Sequence, residues 1–124
     1  MSIILFEAPY TSVNDLSTQN LLAIRNGFTK KYIPGVIDSS YMKYSSGFDP
    51  VRTDQNFKDK YGVEIRGWWD VQGDFMGGPS YIRVVVDEAN GRIVFAEGFL
   101  FYPNEKKAKS MRELEILVNT LSIK

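Results

Sequence analysis

Hydrophobic and polar positions change their period several times along this chain. Ile3 to Ala8 is a short apolar run ended by Pro9, as expected of a strand that stops at a turn. The period then lengthens: Leu21, Ile24, Phe28 and Tyr32 recur at spacings of three and four, the apolar face of a helix. Ser12, Asn14 and Asp15 supply N-cap candidates and acidic character for its start. Lys30 and Lys31 complement the dipole in its last turn, Pro34-Gly35 stops it, and Gly27 weakens it slightly.

Beyond the helix the pattern turns to alternation. Tyr41 to Tyr44 reads as a short strand and Val51 to Phe57 as an edge strand, separated by the turn chemistry of Ser45-Ser46-Gly47 and Asp49-Pro50. Asp59-Lys60-Tyr61-Gly62 reads as a turn leading into a strand that runs to Val71. Val63, Ile65, Gly67, Trp69 and Val71 take one face of that strand, and Glu64, Arg66, Trp68 and Asp70 the other. Ser80 to Asp87 and Arg92 to Tyr102 flank Glu88-Ala89-Asn90-Gly91, and Asn-Gly before a strand is a strong hairpin signal. In the second arm Ile93, Phe95, Phe99 and Phe101 share a face with Glu97, while Val94, Ala96, Leu100 and Tyr102 occupy the other. Both faces are largely apolar, so the central strands are expected to be covered on both sides or to use one face as an interface. Pro103-Asn104 opens a last helix with Met111, Leu114, Leu117, Val118 and Leu121 on one stripe.

The order strand, helix, several antiparallel strands, helix defines an α+β domain over residues 1–124. An antiparallel meander sheet of about five strands is packed by an early helix and a C-terminal helix, in the order β-α-β-β-β-β-α. At 124 residues the chain fits one domain with a core of its own. No repeat, low-complexity tract or linker interrupts it.

Composition narrows the chemistry. Fifteen basic residues balance fifteen acidic ones, so no basic excess points to nucleic acid. Cysteine is absent, which removes disulfides, thiolate metal sites and thiol nucleophiles; histidine is absent too, which removes the commonest general base and zinc ligand. No cofactor and no metal is therefore expected, and the composition leans away from an enzyme. No apolar run approaches the roughly 18 residues of a membrane span. The opening apolar run is too short for a signal peptide and reads as the first strand, so any secretion signal is expected outside this chain. Aromatic residues are abundant at 14%, with two adjacent tryptophans in the segment Val63 to Pro79.

That segment holds the candidate chemistry. Gly73-Asp74-Phe75-Met76-Gly77-Gly78-Pro79 lacks the lysine and the following helix of a phosphate-binding loop, and reads as a tight connection whose glycines provide positive φ. Trp68 and Trp69 point to opposite faces; one is core, and the other packs under a second layer or belongs to a binding surface. Glu64, Arg66 and Asp70 read first as charges paired along a strand face. Extended spacing puts Glu64 and Asp70 about 20 Å apart along the strand, too far for a pair of catalytic carboxylates. Asp87, Glu88 and Asn90 lack the spacing of a calcium loop and read as a hairpin turn. Lys106, Lys107, Lys109 and Arg112 are offset by Glu105, Glu113 and Glu115 and read as a solvated helix face.

Taken in order, Glu7-Ala8-Pro9-Tyr10, Leu22-Ala23-Ile24-Arg25-Asn26, Lys31-Tyr32-Ile33-Pro34-Gly35, Ser40-Tyr41-Met42, Glu64-Ile65-Arg66-Gly67-Trp68-Trp69, Gly73 to Pro79 and Met111-Arg112-Glu113-Leu114-Glu115 form a recognisable pattern. The chain resembles domain-of-unknown-function family 4837, predicted lipoproteins of Bacteroidetes-type bacteria, over nearly its whole length. The resemblance implies an extracytoplasmic place, with lipid anchoring in a longer natural protein whose C-terminal half corresponds to this chain. It carries over no catalytic residues, and this sequence has neither the lipoprotein signal nor the acceptor cysteine.

The resulting expectation is a non-enzymatic extracytoplasmic binding or interaction domain with an unknown envelope protein or small molecule as partner. Its ligand-binding residues would be Arg66, Trp68, Asp74, Phe75 and Met76, holding the partner by aromatic contact and charge-assisted hydrogen bonds. The rival reading is a hydrolase of an envelope polymer, with Asp74, Glu64 or Asp70 as acid and base. A third is a structural dimerisation domain, a homodimer through the apolar sheet face bearing Val94, Leu100 and Tyr102.

Overall fold

A computed structural model describes residues 2–32, 42–45, 49–57, 60–71, 77–100 and 107–120. The expected α+β class holds. One antiparallel sheet carries six strands: β1 (Ser2–Pro9), β2 (Met42–Tyr44), β3 (Val51–Phe57), β4 (Lys60–Val71), β5 (Gly77–Asp87) and β6 (Arg92–Phe99). They occupy only five positions, in the order β1-β6-β5-β4-β2, because β3 also pairs with β4. The twelve-residue β4 is long enough to take β3 along Lys60 to Arg66 and β2 along Trp69 to Val71 on the same side. The run β3-β4-β5-β6 is a meander, and β1 closes the far edge against β6.

Among the described residues two α-helices cover the sheet. The first, α1 (Thr18–Tyr32), follows β1, and the second, α2 (Lys107–Thr120), follows β6. Register fixes which face each one takes. Ile65, Ile82, Glu97 and Ile4 lie opposite one another across the strands, as do Arg66, Tyr81, Gly98 and Ile3 one position along. Side chains directly opposite share a face. Arg25 of α1 reaches Glu97, whereas Leu114 of α2 packs on Gly98, so the helices lie on opposite faces. That layering explains why both faces of the hairpin arms are apolar.

The main core lies under α1. Leu16, Leu21, Val63, Ile65, Ile82, Val84, Val86, Ile93 and Phe95 are buried there, with Phe6, Ala8 and Ile24 packed against them. Phe6 stacks between Phe28 and Phe95 at centroid distances of 4.3 and 4.6 Å. Trp69, Met42, Val71 and Phe99 continue this layer past the end of β3, with Trp69 and Phe99 edge to face. On the other face Tyr81, Ala96 and Val118 form a smaller cluster.

Local chemistry departs from expectation at five places. Ser12, Asn14 and Asp15 build a separate 3-10 turn, Val13–Leu16, before the helix. There the Asp15 carboxylate accepts from the backbone amides of Thr11 and Ser12 and from the Thr11 hydroxyl, and these bonds hold its pKa below the usual carboxylate value. The cap of α1 is Ser17, whose hydroxyl accepts from the Asn20 amide at 3.2 Å. The deepest stripe of α1 is Leu21, Arg25 and Thr29, with Ile24 and Phe28 on its flank and Tyr32 exposed. The stripe turns because Glu97, inside the sheet face, requires a cation opposite it.

The third departure concerns Gly77 and Gly78, which lie inside β5 instead of a positive-φ turn. Gly78 is there for close approach: a Cβ would stand 1.8 Å from the Leu100 carbonyl oxygen. The Leu100 amide bonds back to Pro79 at 3.1 Å and its carbonyl accepts the Trp69 indole N–H at 3.0 Å, so the chain leaving β6 is held against the start of β5. In α2 Leu114 and Val118 are buried as expected while Leu117 is largely exposed. Finally, Lys60, expected in a turn, already pairs with Phe57. The Asn90-Gly91 hairpin forms as expected, with Gly91 at φ 60°. Pro34-Gly35, Ser46-Gly47, Phe101, Tyr102, Pro103-Asn104 and Leu121 fall outside the described residues.

Candidate functional site

Two adjacent residues of β5, Ser80 and Tyr81, point to opposite faces, and each belongs to a cluster built on an arginine, a carboxylate and a tyrosine. Under α1 the cluster is sealed. Arg25 and Glu97 are fully buried and meet in a two-pronged pair: Nε donates to Oε1 at 2.6 Å and a terminal nitrogen donates to Oε2 at 2.7 Å. The other terminal nitrogen donates to the Met42 carbonyl at 2.9 Å and to the Asn26 side chain at 3.0 Å. Ser80 donates its hydroxyl to Glu97 at 3.0 Å, and Tyr44 lies 2.9 Å from Ser80 with its ring under the Arg25 guanidinium at 5.0 Å. Burial, then the nearby Glu97 charge, pushes the Tyr44 hydroxyl far above its ordinary pKa, so it stays protonated. Thr29 donates to the Met42 carbonyl and Asn26 accepts from the Tyr44 amide at 3.1 Å, which ties the short β2 to α1.

Under α2 the same residue types form a second cluster, in which Tyr81 and Glu64 are buried while Arg66 and Glu115 reach the surface. Arg66 donates from Nε to Glu115 at 2.7 Å and from a terminal nitrogen to Glu64 at 3.0 Å, and its guanidinium lies 5.0 Å from the Tyr81 ring centroid. Tyr81 donates to Glu64 at 2.9 Å, and the Asn119 side-chain amide lies 3.1 Å from the same hydroxyl. Burial raises the Tyr81 pKa; the Asn119 contact opposes that shift and the Glu64 bond adds to it. Burial works against the Arg66 charge, but Glu115 and Glu64 outweigh it and its pKa stays above the ordinary value. The Arg66 side chain remains 44% exposed. It opens on a broad depression of about 520 Å³ lined by Arg66, Arg112, Glu115, Ile116 and Asn119. Ile116, also in the lining, is 65% exposed.

Of the five residues expected to bind a ligand, Arg66 lies in this surface cluster and Trp68 is a half-buried residue further along the same face of β4. Asp74, Phe75 and Met76 fall outside the described residues. The tryptophan pair divides as its alternation requires: Trp69 is core, at 1% exposure. Glu64 is engaged by Arg66 and Tyr81, while Asp70 lies six residues along, opposite Gly77 of β5 and Lys43 of β2. Leu100, expected on a dimer face, is buried within the chain at 1% exposure because it closes over Gly78. Val94 is partly covered and Tyr102 lies outside the described residues.

A third polar group closes the β5–β6 hairpin. Asp87 accepts from Asn90 at 2.9 Å and from Arg92 at 2.8 Å, and these bonds hold its pKa below the ordinary carboxylate value. Arg92 also reaches Glu7 of β1 at 2.9 Å, so the hairpin turn is tied to the edge strand. Among the described residues no group of three or more metal-ligating side chains gathers. No helix among them is long and apolar enough to cross a membrane.

Sequence reasoning about function passed over Arg25, Tyr44, Ser80, Tyr81, Glu115 and Asn119. For Arg25 and Glu97 the signal was present: a carboxylate within an apolar strand face, and an arginine four residues from Leu21 on a helix. Each is a buried charge awaiting a partner.

Fold and clusters together define a two-faced α+β domain, with one arginine–carboxylate–tyrosine group sealed in its interior and one open at its surface. By family the chain belongs to Domain of unknown function (DUF4837), whose model matches residues 1–120. Comparison with curated proteins and with solved structures gave no match.

Proposed function

We propose that the chain is a non-catalytic binding domain that works outside the cytoplasm, and that it recognises its partner on the α2 side of β4 around Arg66 and Trp68. The observation that carries this reading is the state of Arg66. Two carboxylates and an aromatic ring hold its guanidinium in place, yet nearly half of the side chain is exposed at an open, partly apolar depression. A preorganised arginine beside exposed aliphatic surface is the composition of a recognition hot spot. Arg112 adds a second cation, and Ile116 offers apolar contact.

A shallow, open surface suits a protein or polymer better than a small molecule, which binds in a pocket that encloses most of it. Of the carboxylates in the rival hydrolase reading, Glu64 is already engaged by Arg66 and Tyr81. The extracytoplasmic setting rests on the resemblance to predicted lipoproteins.

Co-sedimentation of the purified domain with isolated bacterial cell envelopes tests the proposal. Saturable binding is expected for the wild type, with Arg66→Ala and Trp68→Ala each weakening it by about tenfold, the loss of one good contact. Equal binding by wild type and both variants would overturn the placement. Release of soluble fragments from the envelopes by the wild type alone would overturn the non-catalytic assignment.

A further inference from the structure

The two edges of the sheet are finished differently. On one edge β2 is three residues long, and β3 carries Arg52 and Asp54 in an ion pair at 2.7 Å, with Thr53, Gln55 and Asn56 beside them. Short length and charge are the usual protection of an edge against pairing with another chain. On the other edge β1 is eight residues long and, among the described residues, pairs only with β6. From Ile3 to Phe6 it has no charge, no proline and no bulge in its continuous pairing register. Its charged Glu7 is engaged by Arg92. Ile3 and Leu5 point to the α2 face, 37% and 59% exposed.

We propose that β1 is a homodimer interface, along which two copies of the chain join their sheets edge to edge in antiparallel fashion. Backbone amides and carbonyls that no described strand pairs on this edge offer a template for an extended strand as occupant. Symmetry and side-chain pattern select a second copy. A two-fold axis perpendicular to the sheet at Ile4 places Ile3 opposite the partner's Leu5, twice, and keeps the α2 faces of both copies on the same side. Every position from Ile3 to Leu5 then faces an uncharged residue, and Glu7 stays outside the paired stretch with its Arg92 contact intact. The exposed Ile3 and Leu5 are thereby covered by one another as a self-complementary patch, the defining property of a two-fold interface. Edge pairing over so few residues buries little area, so the dimer is weak, with micromolar affinity or lower. This surface replaces the sheet face bearing Leu100, which the chain itself covers.

Sedimentation equilibrium across micromolar to millimolar protein tests it. The wild type is expected to show a reversible monomer–dimer equilibrium. Leu5→Lys, at an exposed position, is expected to weaken the dimer by about tenfold or more through lost cross-strand contact with Ile3 and two cations brought close diagonally across the axis. Arg66→Ala is expected to leave the equilibrium unchanged, which separates this interface from the recognition surface. Amide exchange adds an independent readout: protection in β1 rises with protein concentration. A wild type that stays monomeric throughout, a Leu5→Lys variant that dimerises equally well, or concentration-dependent protection confined to other elements would each overturn the proposal.

Discussion

Arg25 and Arg66 have nearly the same company and opposite circumstances. Each guanidinium lies 5.0 Å from a tyrosine ring centroid, and each bonds to carboxylate, Glu97 for one and Glu64 with Glu115 for the other. The tyrosine hydroxyls close both groups, through Ser80 on one face and directly to Glu64 on the other. The arginine and its outer carboxylate separate them, since Tyr81 and Glu64 are as covered as their counterparts. The side chains of Arg25 and Glu97 are fully covered, whereas Arg66 keeps 44% of its surface and Glu115 25%. The difference shows that a motif of residue types does not define a role. Covered, the charges must satisfy one another and so fix one arrangement of α1, β2, β5 and β6; open, they hold a side chain ready for something else.

The largest effect that tests this contrast is on stability. Arg25→Ala leaves Glu97 buried without its cation and is expected to cost about 3–5 kcal/mol in urea unfolding. The double variant Arg25→Met with Glu97→Leu removes both charges and should recover most of that loss. If the double variant is as unstable as the single one, the buried pair does more than neutralise itself. Tyrosine hydroxyls give the next largest difference. Tyr44→Phe deprives buried Ser80 of a partner and should cost about 1–2 kcal/mol, while Tyr81→Phe leaves buried Glu64 with Arg66 as a charged donor and should cost less than about 1 kcal/mol. Reversal of that order would mean that the α2 side is the better-sealed face.

A smaller and separate effect concerns acid. The carboxylates with clearly lowered pKa values, Asp15, Asp54 and Asp87, lie outside both arginine clusters. Asp15 is held by backbone amides, Asp54 first by Arg52 and then by Tyr61, and Asp87 by Asn90 and Arg92. A folded-state pKa below the unfolded value means that the unfolded chain binds more protons as pH falls through that range. Their stabilisation is therefore complete at neutral pH and is lost progressively below the ordinary carboxylate value of about 4. Asp87→Asn should flatten that acid limb relative to wild type in a pH series of thermal melts. An unchanged slope would show that the hairpin clasp contributes nothing to acid sensitivity.

Much of this arrangement could be read from residue pattern. Alternation through Val63 to Val71 placed Trp68 and Trp69 on opposite faces, and the doubly apolar arms around Asn90-Gly91 implied a layer on each side. Short range rules reach that far because faces are set by period alone. Distance contacts escaped. Arg25 and Glu97 are 72 residues apart in sequence, and no local rule says that a helical arginine will meet a particular strand carboxylate. Glu115 read as part of a solvated helix face, and Asn119 carried no signal of its own, until α2 was laid across β4. Gly78 was misassigned for a related reason: a tight turn and a close crossing both call for glycine, and only the Leu100 carbonyl distinguishes them. Of the expected ligand-binding residues, the strand members Arg66 and Trp68 share a face by alternation, whereas Asp74, Phe75 and Met76 lie beyond the described part of the chain.

The central claim is that the open arginine is a recognition residue and the sealed one a structural residue. The most direct measurement is envelope binding of Arg66→Ala beside its urea unfolding curve. About tenfold weaker binding is expected, with a smaller loss of stability than for Arg25→Ala because buried Glu64 keeps its Tyr81 bond. Unaltered envelope binding by the folded variant would contradict the claim.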